Sequence, residues 1–156
     1  NKNVKPWYQH IKQNDIPTIK ESEGVEIKVL VGKVKSIESL IQTYSPVSIF
    51  DVKFSNPSQI SLDLSKDQIA MIYVIDGKLQ FINQNKIATS GQMIYFDQSS
   101  DEIQLTSTSS NGSYLVLAGK PINEQIIRHG PFVTNTEDEM KQVILDFKKG
   151  KMGTLS

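Results

Sequence analysis

"IAMIYVIDGKLQFI", residues 69–82, is the stretch whose reading decides the fold. Two runs rich in β-branched and aromatic residues flank Asp76-Gly77, the pair a type I′ turn prefers because both of its central residues need positive φ. The spacing predicts a β-hairpin, with Val74 opposite Leu79 and Ile72 opposite Phe81 on one wholly apolar face. Tyr73, Met71 and Ile69 share the other face, with Gln80 opposite Tyr73. Both faces of the first strand are therefore greasy, and something must cover each of them.

The same strand pattern continues on either side. "VEIKVLVG", residues 25–32, alternates Val25, Ile27, Val29 and Val31, and "SIFDVKF", residues 48–54, alternates Phe50, Val52 and Phe54. "GQMIYF" and "DEIQLTS" follow, and Asn111-Gly112 reads as a second hairpin-like turn into "SYLVLAG", residues 113–119. Short strands separated by turn residues predict an all-β antiparallel fold, either a sandwich or a small barrel. The end differs. In "NTEDEMKQVILDFKKG", residues 135–150, Asn135 or Thr136 serves as N-cap, and Thr136 with Glu139 fits a capping box. Met140, Val143, Ile144 and Phe147 recur as one apolar stripe, acidic residues open the segment, lysines close it, and Gly150 follows as the C′ residue. A lone helix of this length is marginal in water, so the stripe is expected to dock on something.

Composition narrows the function classes. The chain has 156 residues, enough for one domain with a sizeable core. Seventeen basic residues balance seventeen acidic ones, which gives no electrostatic reason to expect nucleic acid or an anionic membrane as partner. The absence of cysteine excludes disulfides, thiolate metal sites and a cysteine nucleophile. No apolar run approaches the ~20 residues of a membrane span, and no signal-peptide pattern opens the sequence. The chain begins at Asn1 rather than methionine, which suggests a processed form or a piece of a longer protein. The polar arm before Val25 carries Trp7-Tyr8. A tryptophan near a terminus usually clasps its own domain, and the alternative is burial against a partner.

"LAGKPINEQIIRHGPFVTNTEDEMKQVILDF", residues 117–147, closely resembles the C-terminal segment of the pirin family, in which a Gly-Lys-Pro turn leads into a His-Gly-Pro-Phe-Val loop and then an amphipathic helix. "WYQHI" with "IPTI", "YSPVSIFDVKF" and "MIYVIDGKLQF" extend the resemblance over nearly the whole chain. It implies an all-β, cupin-type antiparallel barrel or sandwich, jelly-roll-like, with a short C-terminal α-helix. Residues 1–23 would be an N-terminal arm or interdomain connector, and residues 24–156 a single cupin barrel with a C-terminal loop (119–135) and a helix (136–149). Pirins pair two cupins, and the metal site lies in the N-terminal one, on a His-x-His run, a glutamate and a further histidine. This sequence resembles the C-terminal cupin alone.

Aligned on the spacing from Tyr73 to Gly77, Asp63, Ser65 and Ile69 stand where a metal-binding cupin places its first ligands, a set too poor to hold a transition metal. The two histidines, His10 in the arm and His129 in the loop, do not complete it. The resemblance therefore implies no catalytic residue, no metal ligand and no cofactor in this chain. Iron or another divalent metal is expected only in an N-terminal cupin. It also implies that Ile69, Met71, Tyr73 and Gln80 line a barrel cavity, and that Trp7, Tyr8, Arg128, His129 and Phe132 meet the missing half or another partner. His129 has a catalytic reading, from a pKa near neutrality, and an architectural one, as a loop residue whose ring bonds backbone groups beside Gly130 and Pro131. Asp63 and Asp67 read as solvated loop residues. The implied function is a non-catalytic, metal-free interaction module, since pirins resemble transcription co-regulators. Two alternatives stand beside it: part of a metal-dependent, quercetin-dioxygenase-like pirin whose active site lies in the other cupin, and a small-ligand binder. The expected partners are an N-terminal cupin half, another protein, or a second copy through exposed apolar surface, with neither nucleic acid nor membrane. The expected location is cytoplasmic, or nuclear in a eukaryote.

Overall fold

The computed structural model describes residues 4–21, 24–65, 67–81, 86–96 and 102–153. Residues 1–3 and 22–23 of the arm, and Ile82 and Asp101 of the runs quoted above, lie outside the described residues. The chain forms two compact units, residues 1–121 and 122–156.

In the first unit the strands are β1 (Thr18–Glu21), β2 (Val25–Val31), β3 (Lys33–Val34), β4 (Ile37–Glu38), β5 (Val47–Phe54), β6 (Ser58–Asp63), β7 (Ile69–Asp76), β8 (Lys78–Phe81), β9 (Lys86–Thr89), β10 (Met93–Phe96), β11 (Glu102–Ser107) and β12 (Gly112–Gly119). One antiparallel sheet runs β1-β2-β5-β12-β7-β10, a second runs β6-β11-β8-β9, and β3 with β4 forms a small ribbon. Of the two all-β layouts the sequence allows, this is the sandwich: two sheets share one core, and neither closes on itself.

The core is legible row by row across the larger sheet. Val29, Phe50, Val116 and Ile72 stand side by side on four strands. Ile27, Val52, Tyr114 and Val74 form the next row. No member of either row is more than 1% exposed. The smaller sheet adds Ile60, Leu62, Leu79, Phe81, Ile103 and Leu105 to the same cluster. Each such side chain contributes about 1.5–3 kcal/mol when fully buried.

Neither predicted hairpin forms. β7 is flanked by β12 on one side and β10 on the other, so both of its hydrogen-bonding edges are filled, and β8 joins the other sheet beside β11. Val74 and Ile72 accordingly do not oppose Leu79 and Phe81. Only Gly77 of the Asp76-Gly77 pair takes positive φ, at +87°, where a type I′ turn would need both. Asn111-Gly112 likewise carries the chain from β11 in the small sheet to β12 in the large one. The turn residues mark the bends correctly. They do not specify which sheet receives the next strand.

The second unit contains β13 (Ile127–His129), β14 (Phe132–Thr134) and α1 (Glu137–Lys148). His129 pairs with Phe132 across Gly130-Pro131, with Gly130 at φ +55°. Thr136 and Glu139 form the reciprocal capping box, and Glu139 also accepts the backbone N–H of Asn135 at 3.0 Å. The α1 stripe is buried at Met140 and half-buried at Val143 and Ile144. Phe147 is exposed, yet its ring meets that of Phe132 edge-on at 5.4 Å. Lys149 ends the helix and Gly150 follows at φ +67°.

The corner makes a specific demand on Gly77. A Cβ there would stand 2.7 Å from the Asn111 carbonyl oxygen, whereas Gly91, at φ +83°, faces open space. Gly77→Ala should therefore cost about 2–4 kcal/mol and Gly91→Ala about 1 kcal/mol. Denaturant melts of the two variants measure the difference, and equal losses would contradict this geometry.

Candidate functional site

The residues expected to line a cavity do not point inward. Ala70, Ile72 and Val74 hold the core side of β7, while Ile69 and Met71 are half-buried on the opposite face and Tyr73 is 37% exposed. Gln80, half-buried between Leu79 and Phe81, likewise faces away from the core. The expectation is corrected by neighbouring strands. β2 and β5 carry Glu26, Lys28, Asp51 and Lys53 on the Tyr73 side of the sheet, and charges are far costlier to bury than Ala70, Ile72 and Val74.

The positions aligned with cupin metal ligands do not converge. Asp63 is exposed at the end of β6, opposite Glu102. The Ser65 hydroxyl donates to Asp67 Oδ1 at 2.6 Å, and Lys120 Nζ reaches Asp67 Oδ2 at 2.7 Å. These contacts, that of Lys120 first, hold the exposed Asp67 carboxyl below its ordinary range. Ile69 lies on the outer face. His10 and His129 are both exposed, and they belong to different units. Among the described residues no group of three His, Cys, Asp or Glu side chains comes together. The structure also leaves the His129 ring without a hydrogen bond among the described residues, so backbone pairing across Gly130-Pro131 shapes that loop.

The buried polar chemistry lies at the corner joining the sheets. The Tyr114 hydroxyl, at the floor of the core, donates to the Lys78 carbonyl oxygen at 3.0 Å and takes the Ser107 hydroxyl at 3.0 Å. The Ser109 hydroxyl accepts the Lys78 N–H at 2.8 Å, and the Thr108 N–H reaches the Lys78 carbonyl at 3.2 Å. Gly112 makes room for the phenol: a Cβ there would stand 2.3 Å from the Tyr114 oxygen. Sequence reading placed Tyr114 in a strand but gave it no role. The available signal was glycine two residues before a tyrosine on the same strand face. Every hydrogen bond in this cluster is internal, so it latches the two sheets.

An open groove of about 560 Å³ near the corner is lined by Lys20, Glu21, Glu26, Lys53 and Asp76 among others, a mixture of both signs that selects no ligand charge. The outer face of the large sheet is apolar at one end, where Leu115, Tyr73 and Met93 form one row and Leu117, Met71 and Tyr95 the next. Trp7 is 52% exposed beside Gln42, Thr43 and Tyr44, and Tyr8 is 91% exposed, so neither clasps the core. Arg128 and His129 are exposed and Phe132 is half-buried.

Two expected outcomes follow from these placements. Ile72→Ala should lose about 2–5 kcal/mol by leaving a core cavity, and Met71→Ala under about 1 kcal/mol; chemical unfolding of both tests which face is inside, and the reverse order would contradict it. Burial pushes the Tyr114 phenol up, against the opposing pull of its Ser107 hydrogen bond, and the Asp76 charge pushes it further up. A phenol raised in the folded state stabilises below the unfolded value of about 10, and that stability is lost as pH climbs past it. Unfolding at alkaline pH should therefore come earlier for the parent than for Tyr114→Phe, relative to each protein's stability at neutral pH, and parallel profiles would contradict the assignment.

A family model described as the pirin C-terminal cupin domain matches residues 49–153. Pirin of Rattus norvegicus is 32% identical over 161 residues, spanning 97% of this chain and 53% of that protein. Pirin-like protein 2 of Arabidopsis thaliana is 30% identical over 97% of this chain and 49% of its own length. The crystal structure of quercetin 2,3-dioxygenase from Acinetobacter baumannii matches with a TM-score of 0.81 at 28% identity, over 96% of this chain and 52% of that one. The chain spans about half the length of the curated relatives it matches.

Proposed function

This chain belongs to the pirin family as its C-terminal cupin domain, and on that premise we propose that it is a metal-free, non-catalytic half that supports another cupin or presents a surface to protein partners. The observation that carries this reading is the packed interior. The inner face of β7 is Ala70, Ile72 and Val74, set against Leu79, Phe81 and Leu105 in one apolar cluster. A transition metal needs imidazole, thiolate or several carboxylates around one point. The residues here do not fit one: Asp63 and Asp67 are exposed, and Asp67 is engaged by Lys120 and Ser65. No reaction step is assigned to this chain.

A second reading draws on the likeness to the Acinetobacter baumannii quercetin 2,3-dioxygenase structure. On that reading the parent protein is a metal-dependent oxygenase, the reacting centre lies in the other half, and this chain supports it. Both readings leave this chain without its own ion. No helix among the described residues is long and apolar enough to cross a membrane. A cytoplasmic setting, or a nuclear one in a eukaryote, goes with either reading.

Metal content separates these readings from a hidden site. The purified chain, incubated with ferrous iron and then dialysed, should retain far less than one ion per chain by elemental analysis, and should not turn over quercetin. One tightly held ion per chain would overturn the metal-free reading. Turnover that appears only when a second cupin half is supplied would favour the oxygenase reading.

A further inference from the structure

We propose that Asn111 is a self-modifying site: the backbone nitrogen of Gly112 displaces the side-chain ammonia of Asn111, and the isoaspartate that follows unfastens the corner held by Tyr114. The reaction uses only this chain and water. The Gly112 nitrogen attacks Asn111 Cγ, a C–N bond forms, the Cγ–Nδ2 bond breaks, and ammonia departs with the proton of the Gly112 nitrogen. Water then opens the succinimide ring at either carbonyl. One opening leaves aspartate. The other leaves isoaspartate, whose main chain runs through Cβ and is longer by that carbon. Nothing is oxidised or reduced.

The neighbours of each asparagine single out this one. A backbone nitrogen is most open to the attack when its residue has no Cβ to crowd the approach. Of the nine asparagines in the chain, Asn111 alone precedes glycine. Asn56 precedes Pro57, which has no N–H to give up. Asn135 precedes the β-branched Thr136, and its side-chain amide donates to the Gln125 carbonyl oxygen at 2.8 Å. Asn111 is exposed in the bend before β12, and its side-chain amide has no hydrogen bond among the described residues. Asp76 also precedes a glycine, but as a carboxylate it has no amide to lose.

The corner has no room for a longer chain at this point. A Cβ on Gly77 would stand 2.7 Å from the Asn111 carbonyl oxygen and 3.0 Å from Gly112 Cα, and a Cβ on Gly112 would stand 2.3 Å from the Tyr114 hydroxyl oxygen. An extra carbon between Asn111 Cα and Gly112 therefore pushes Gly112 against Gly77 or against the phenol. That phenol reaches the Lys78 carbonyl across the two sheets. Aspartate leaves the main chain unaltered, and only adds a negative charge to the groove that Asp76 and Asn111 both line.

The test is incubation of the chain for weeks in warm, mildly alkaline buffer, followed by peptide mapping and enzymatic methylation of isoaspartate. Asn111→Gln is aged alongside, because glutamine would have to close a larger ring, and Asn111→Asp is measured fresh. Residue 111 should turn to acid about tenfold faster than Asn14, Asn123 or Asn135. The isoaspartate fraction should melt about 2–4 °C below Asn111→Asp, and aged Asn111→Gln should melt like fresh protein. Conversion at Asn111 no faster than at the other asparagines would overturn the site. An isoaspartate form that melts together with Asn111→Asp, or a loss on ageing that Asn111→Gln shares, would overturn the effect on the corner.

Discussion

A strand has two faces, and only one of them can enter a core. In β7 both faces are apolar, so its own sequence leaves the choice open. Its partners make it. β2 and β5 alternate without ambiguity, with Val29, Phe50 and Val52 on one side and Lys28, Asp51 and Lys53 on the other. Hydrogen-bonded register then carries the choice through β12 to β7, because residues directly opposite share a face. A shift of one residue would bury four charges, so the inner row of Val29, Phe50, Val116 and Ile72 is fixed across the whole sheet. That row, with its neighbours, fills the space between the sheets with methyl and phenyl groups.

Much of this was legible in the sequence. The capping box of Thr136 and Glu139, the stripe headed by Met140 and the alternation of β2 and β5 depend on neighbours along the chain, and all three stand in the structure. What was not legible depends on neighbours in space. Asp76-Gly77 marks a bend, but the bend is a corner between sheets, because β12 and β10 already fill both sides of β7. The resemblance implies an inward face of Ile69, Met71 and Tyr73, and nothing within that strand excludes it; the charges that do exclude it stand on β2 and β5. The corner cluster was hidden for the same reason, since Tyr114 meets Lys78 and Ser107 only after two sheets have assembled.

The corner cluster also explains how two sheets with little hydrogen bonding between them are held in register. Tyr114 belongs to the large sheet, and its hydroxyl satisfies a carbonyl at the start of a small-sheet strand. Removing a buried donor of this kind costs about 1–3 kcal/mol through the acceptor left behind. The exposed end of the outer face has no such internal partner among the described residues.

The most direct test is methyl NMR of the chain titrated with manganese(II), a paramagnetic ion that broadens only nearby signals. If the apolar interior offers no cation site, as proposed, equimolar manganese should leave the methyl signals of Ile72, Val74 and Val116 sharp. Selective broadening of those three would place a cation inside the sandwich and contradict the packed, metal-free core.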